Sequence, residues 1–133
     1  TAGLDPEERN RFLNLLAEVG ENVVVILSTH IVQDVTDLCP RMAVLAGGKI
    51  QLEGAPTELQ HQLEGKIWRR TIDKAELPEF RKRNEVISSR LVGGRTVIHV
   101  LSDHHPGDGF ETAPGGLEDV YMATVAKTRR AAA

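Results

Sequence analysis

The spacing of apolar positions changes period several times along the chain, and each change marks an element. Asp5-Pro6-Glu7-Glu8 reads as a helix start. Asp5 is suited to cap free backbone N–H groups, Pro6 fits the first helical position, and two acids favour the positive end of the helix dipole. Phe12, Leu15, Leu16 and Val19 follow at i, i+3, i+4 and i+7, and Gly20 is a natural stop. Val23-Val24-Val25-Ile26-Leu27 is unbroken and β-branched, the pattern of a strand buried on both faces, as in a parallel sheet. Ser28-Thr29-His30 ends it. Ile31, Val35 and Leu38 give a short helical stripe closed by Pro40.

Farther on, Arg41 to Ala46 and Lys49 to Leu52 predict two strands around Gly47-Gly48, a hairpin signal. Thr57 is placed to cap a short helix running to about Leu63. After Gly65 the composition shifts. Lys66 to Ile72 predicts a strand. Lys74 to Lys82 predicts a helix, with Pro78 moving its true start toward Leu77. Glu85 to Val92 and Arg95 to Leu101 predict strands joined through Gly93-Gly94. Ser102 to Gly116, rich in Gly, Pro and Asp, predicts loop. Leu117, Val120, Tyr121 and Thr124 mark a last helix, and a basic, Ala-rich tail at 129–133 is expected to be disordered. The expected organisation is α/β: residues 1–64 as the end of a domain with a parallel sheet and helices, and residues 66–128 as a small α+β appendage of β-α-β-β-α order.

Composition narrows the class. The 133 residues are 41% hydrophobic and 26% charged, ordinary for a globular protein. The net charge of -3 argues against a general nucleic-acid binder, which carries a basic footprint. The basic clusters Arg69-Arg70, Arg81-Lys82-Arg83 and Arg129-Arg130 read as solvated faces. A single cysteine, Cys39, allows no intramolecular disulfide, which suits a reducing cytosol; it reads as buried and inert. No apolar run approaches the roughly 20 residues that span a bilayer, and no signal peptide is evident. The chain opens at Thr1 rather than Met, as a processed chain or a piece of a longer one does.

Chemistry is sparse at the level of residue types. In open α/β sheets ligands sit beyond the carboxyl ends of strands, which puts His30 and Asp5 where they can face a polar ligand. Asp103-His104-His105 with Asp108 has metal-ligand residue types, but adjacent histidines on an extended chain point apart and a Gly/Pro loop preorganises little, so no metal site is expected. Ser28 and His30 lack a third group for a nucleophilic triad. Trp68 reads as a core or half-buried residue, with a docking or dimer anchor as the sharper alternative.

Residues Thr1-Ala2-Gly3-Leu4-Asp5-Pro6 resemble the D-loop of ABC ATPases, and Ser28-Thr29-His30 after an apolar strand resembles their switch-histidine loop, or H-loop. The separation of Asp5 from His30 fits one helix plus one strand, as in that family. Asp37-Leu38-Cys39-Pro40-Arg41-Met42-Ala43-Val44-Leu45, then Gly47-Gly48-Lys49-Ile50 and Glu53-Gly54-Ala55-Pro56, are similar to the run that follows there. The resemblance implies that His30 contacts the γ-phosphate of ATP. It implies that Asp5, with Gly3 and Leu4, lies at an ATP site shared across a dimer. It further implies ATP and Mg2+ as ligands of the full-length protein, a transmembrane permease and a second ATPase copy as partners, no nucleic acid, and a location on the inner face of the cell membrane. Leu117-Glu118-Asp119-Val120-Tyr121 and the β-α-β-β order resemble the carboxy-terminal extension of a class of ABC exporters.

Other family parts are missing from these residues. There is no Gly-x-x-x-x-Gly-Lys followed by Ser or Thr to cradle phosphates, since Gly47-Gly48-Lys49 leads to Ile50. There is no signature run, and the family's Walker B and glutamine-loop residues belong before Thr1. The expectation is a carboxy-terminal part of a transporter ATPase that by itself neither binds ATP tightly nor hydrolyses it. The alternative is a regulatory or dimerisation module without chemistry of its own. A non-transport ABC ATPase is disfavoured by the short spacings and the acidic charge. Without its sheet neighbours, Val23 to Leu27 is expected to leave an apolar edge that drives dimerisation or segment swapping.

Overall fold

A computed structural model describes residues 3–132, and the chain divides into two compact units, residues 1–40 and 41–133. Thr1 and Ala2 of the D-loop-like segment lie outside the described residues.

In the first unit, helix α1 spans Pro6–Gly20. Asp5 caps it as expected: its Oδ1 accepts the Glu8 N–H at 2.8 Å. Gly20 does not adopt the left-handed stop. The helix instead ends in turns in which Glu21 and Val23 donate to Glu18 and Val19. The apolar stripe finds little cover. Leu13 is buried, whereas Phe12, Leu15 and Val19 are exposed. Val23 to Leu27 forms no strand and joins no ladder, with Val24 88% and Ile26 91% exposed. Both sheets among the described residues are antiparallel, so the parallel sheet expected here is not formed. The physical reason is that a lone strand has no neighbour to satisfy its backbone. Helix α2, Val32–Leu38, packs against α1.

The second unit begins with the hairpin β1 (Met42–Ala46) and β2 (Lys49–Gly54). Gly47 and Gly48 both take positive φ, 61° and 75°, the two-residue turn whose twist matches antiparallel strands. Helix α3, Pro56–His61, follows. Its N-cap is Ala55 without a side-chain hydrogen bond, so Thr57 lies inside the helix instead of capping it; Pro56 takes the first helical position.

Strand β3 (Ile67–Ile72) leads through a 3-10 turn at Lys74–Glu76 into α4 (Leu77–Arg83), so the helix proper starts at Leu77 as Pro78 requires. Strands β4 (Glu85–Val92) and β5 (Arg95–Leu101) form the expected hairpin. The stretch expected to be loop contributes a short strand, β6 (Glu111–Thr112), which pairs with β3. The sheet order is β4-β5-β3-β6, all antiparallel.

This sheet buries both faces. On one, Ile72, Ile98, Val100 and Phe110 form a core with Trp68, Leu77, Phe80 and Val86. On the other, helix α5 (Leu117–Ala132) brings Met122 and Ala123 against Ile67, Ile87 and Ala113. Val86 and the adjacent Ile87 face opposite cores by strand alternation, and the β4–β5 register shifts between Val86 and Ser88. Helix α5 also packs against α3, β1, β2 and β4. These contacts join the hairpin and α3 to the four-stranded sheet within one unit. The tail expected to be disordered continues this helix to Ala132, held by an Arg130–Glu85 ion pair; Ala and Arg are strong helix formers.

Candidate functional site

The candidate site residues lie at the two loops of the first unit that enter its helices. Gly3 has φ +89°, a conformation open to glycine, and Leu4 is exposed beside it. Asp5 takes an extended conformation, φ -70° and ψ 166°, that turns its carboxylate back on the helix. One oxygen of that carboxylate receives Glu8 N–H, and the side chain remains exposed. Capping therefore leaves the carboxylate open to a partner.

His30 follows the apolar segment Val23 to Leu27 and precedes Ile31, the N-cap of α2. Its ring is exposed and makes no hydrogen bond among the described residues. Thr29 shapes the bend: its hydroxyl accepts the Ile31 N–H at 2.9 Å, a local turn that starts the helix. No hydrogen bond or ion pair joins Asp5 to His30 among the described residues.

What ties the two loops together is a pair that the sequence reading missed. Arg9, in the first turns of α1, forms an ion pair with Asp34, in the first turn of α2. Asp34 is 1% exposed, the most buried charged side chain among the described residues. Arg9 and Asp34 lie four positions after Asp5 and His30 respectively, but nothing in the sequence alone pairs them, because the contact depends on how the two helices pack. Nearby, half-buried Cys39 has its thiol pKa raised above the ordinary thiol value, first by burial and then by the negative charge of Asp34. This agrees with an unreactive thiol.

The remaining candidates resolve into structure. Trp68 is half-buried; its indole N–H donates to the Ser102 carbonyl at 3.0 Å, and its ring meets His105 edge-on at 4.9 Å. Asp103 pairs with Lys66, and the His105 ring accepts the Gly107 N–H. Among the described residues no three His, Cys, Asp or Glu side chains converge. Arg69 pairs with Glu111, while the Arg70 guanidinium lies over Phe80 and Phe110, at 4.8 and 5.5 Å from the ring centres. Within Leu117 to Tyr121, Asp119 is buried. It accepts the Gly116 N–H at 3.2 Å and contacts His99 Nδ1 at 2.7 Å, so it closes the helix start and anchors it to β5.

Comparison with known proteins adds what geometry alone does not. No family model matches the chain. Over 95% of its length it is 32% identical to the methionine import ATP-binding protein MetN of Carboxydothermus hydrogenoformans. Over 92% it is 30% identical to a Nod factor export ATP-binding protein I of Burkholderia pseudomallei, and over 93% it is 24% identical to the uncharacterized ABC transporter ATP-binding protein YxlF of Bacillus subtilis. The chain belongs with the ATP-binding subunits of ABC transporters. It spans 43%, 43% and 47% of those three relatives, less than half of each ATP-binding subunit. Import and export subunits both appear among these relatives, so the family is plain while direction is not part of it. No helix among the described residues is long and apolar enough to cross a membrane.

Proposed function

We propose that this chain is the carboxy-terminal part of the ATP-hydrolysing subunit of an ABC transporter, an exporter, in which His30 contacts the γ-phosphate and Gly3, Leu4 and Asp5 line an ATP site shared between two copies. The observation that carries the reading is the Arg9–Asp34 pair, which fastens the helix after the D-loop-like segment to the helix after the H-loop-like one. Such a tie suits two loops that serve one ligand.

The residues present fit part of a nucleotide site. An exposed imidazole free of internal hydrogen bonds is able to donate to a phosphate oxygen and to orient a water. A carboxylate exposed beyond its capping bond is able to meet a second copy. The sequence offers no glycine-rich phosphate loop, and among the described residues no cluster of three carboxylates converges for Mg2+. Those contacts belong to other parts of the subunit. The uncovered apolar surface of Phe12, Leu15, Val19 and Val23 to Ile26 supports the same reading, since a sheet of the remaining subunit would bury it. In the whole protein, ATP-driven closure of two copies moves helices of a membrane permease on the inner face of the membrane. The export direction rests on the resemblance of residues 66–128 to an exporter extension.

The test is ATP hydrolysis by the full reading frame that contains this chain. His30→Ala should lower turnover by about a hundredfold, the scale of losing one aligned donor to a developing anion. Because His30 is exposed, the variant should unfold at the same temperature. Undiminished turnover would overturn the role of His30, and turnover by the 133-residue chain alone would refute the division of labour.

A second reading has its own support. Residues 41–133 have cores on both faces of their sheet, as a self-sufficient regulatory or dimerisation module does. It predicts self-association without ATP that is lost on deleting residues 66–128.

A further inference from the structure

The second unit carries a cleft that the ATPase reading does not use. It has a volume of about 480 Å³ and runs along β4. Glu85, Val86, Ile87 and Ser88 line it consecutively. Neighbouring strand residues point to opposite faces, so a cleft that touches all four follows the strand's edge. Strand β4 is the outer strand of the sheet; Val86 N–H turns to the Asn84 carbonyl at 3.1 Å, and further main-chain groups on the far side are not used by the β4–β5 ladder.

Two helix ends overhang this edge. The last turn of α4 brings Arg81, Lys82 and Arg83 from one side of the sheet, and the end of α5 brings Arg129 and Arg130 from the other. Five cations therefore meet one carboxylate, Glu85, in a chain whose net charge is -3. Lys82 pairs with Glu79 and Arg130 with Glu85, while Arg81, Arg83 and Arg129 have no carboxylate partner among the described residues. Neutralising two helix dipoles takes roughly half a charge each, far less than is assembled here. The Arg130–Glu85 pair already exhibits the contact that a guest carboxylate would make.

We propose that this cleft takes an acidic segment of a partner protein as an added strand on β4. Main-chain hydrogen bonds to the remaining groups of this edge would supply affinity, and the basic rim would select the charge. A second copy of this chain is a poor guest, because pairing edge to edge brings two basic rims together. Lipid headgroups or phosphate would satisfy the cations but leave the strand edge unused. At about 3.3 Å per residue, the four lining positions accommodate a guest of about four residues.

Fluorescence anisotropy of the 133-residue chain tests this with a labelled Glu-Val-Glu-Val-Glu peptide. The comparison probes are the same peptide N-methylated at its valines, a Lys-Val-Lys-Val-Lys peptide, phosphatidylserine vesicles and inorganic phosphate. The proposal expects saturable binding of the acidic peptide, roughly tenfold weaker binding after N-methylation, and no binding of the basic one. The triple variant Arg81→Gln, Arg83→Gln, Arg129→Gln alters exposed side chains only. It should bind at least about tenfold more weakly at an unchanged melting temperature. Hydrogen exchange should slow at residues 85–88 when peptide is present. Equal binding of the N-methylated peptide would overturn strand addition. So would binding of vesicles or phosphate in preference to the acidic peptide, or no peptide binding at all.

Discussion

Arg9 and Asp34 are separated by 25 positions, the same separation as Asp5 and His30, and their ion pair lies four positions beyond each of those two residues. The pair thus sets the first turn of α2 against the early turns of α1, with a candidate site residue at the entrance of each helix. Asp34 is nearly fully buried, and the Arg9 guanidinium contributes an opposite charge that helps make its burial tolerable. Arg9→Ala is expected to destabilise the first unit by about 3 kcal/mol, in the range for removing one partner of a buried pair. Hydrogen exchange of the α2 amides reads this directly. Unchanged protection would show that the pair does not hold the two loops together.

The cap at Asp5 separates two roles by substitution. Asp5→Ala should cost α1 about 1 kcal/mol, visible as lost helical circular dichroism on warming. Asp5→Asn keeps an oxygen for the Glu8 N–H and removes the charge, so the helix should hold. If Asp5→Asn in the full reading frame still depresses ATP turnover, the carboxylate acts beyond capping.

Cys39 is expected to react slowly. Its thiol pKa is raised by burial and by Asp34, so at pH 8 alkylation by iodoacetamide should be slower than for the unfolded chain in urea. The sign for stability follows. The folded state keeps the proton to higher pH than the unfolded one, so this group costs nothing below the ordinary thiol pKa. Stability falls as pH rises above that value toward the raised one. Faster alkylation of the folded chain would contradict this.

Trp68 is expected to act as a packing residue with one satisfied donor. Trp68→Phe loses the bond to the Ser102 carbonyl and should cost about 1 kcal/mol, whereas Trp68→Ala should cost about 3–5 kcal/mol. Thermal melts rank the two. A neutral Trp68→Ala would favour a docking role instead.

Self-association should follow the uncovered apolar segment. The 133-residue chain is expected to show a mass that rises with concentration in light scattering, and the double variant Val24→Lys, Ile26→Lys should suppress the rise. A monodisperse monomer at high concentration would count against it.

Local chemistry made much of this fold legible. The turns of the β1–β2 and β4–β5 hairpins were readable because Gly47-Gly48 and Gly93-Gly94 permit a turn few other pairs adopt. The cap at Asp5 and the late start of α4 followed from single residues with fixed backbone preferences. Long-range relations were not readable. The bulge beside Ile87, the pairing of β6 with β3, and the stacking of Arg70 on Phe80 and Phe110 depend on register and on chain crossings. The misjudged tail has the same origin, since Arg130 finds Glu85 only after the sheet has formed. At the candidate site, His30 and Asp5 were singled out from the sequence, but the Arg9–Asp34 tie was not. A charged pair on two helices looks like solvated surface until their packing is known.

The coding DNA upstream of the Thr1 codon tests the central claim most directly. The account predicts that the same frame encodes a Gly-x-x-x-x-Gly-Lys loop followed by Ser or Thr, a signature run, and an apolar strand ending in acidic residues just before Thr1. A frame that opens immediately before Thr1, with none of these, would contradict it and leave the interaction module of residues 41–133 as the function.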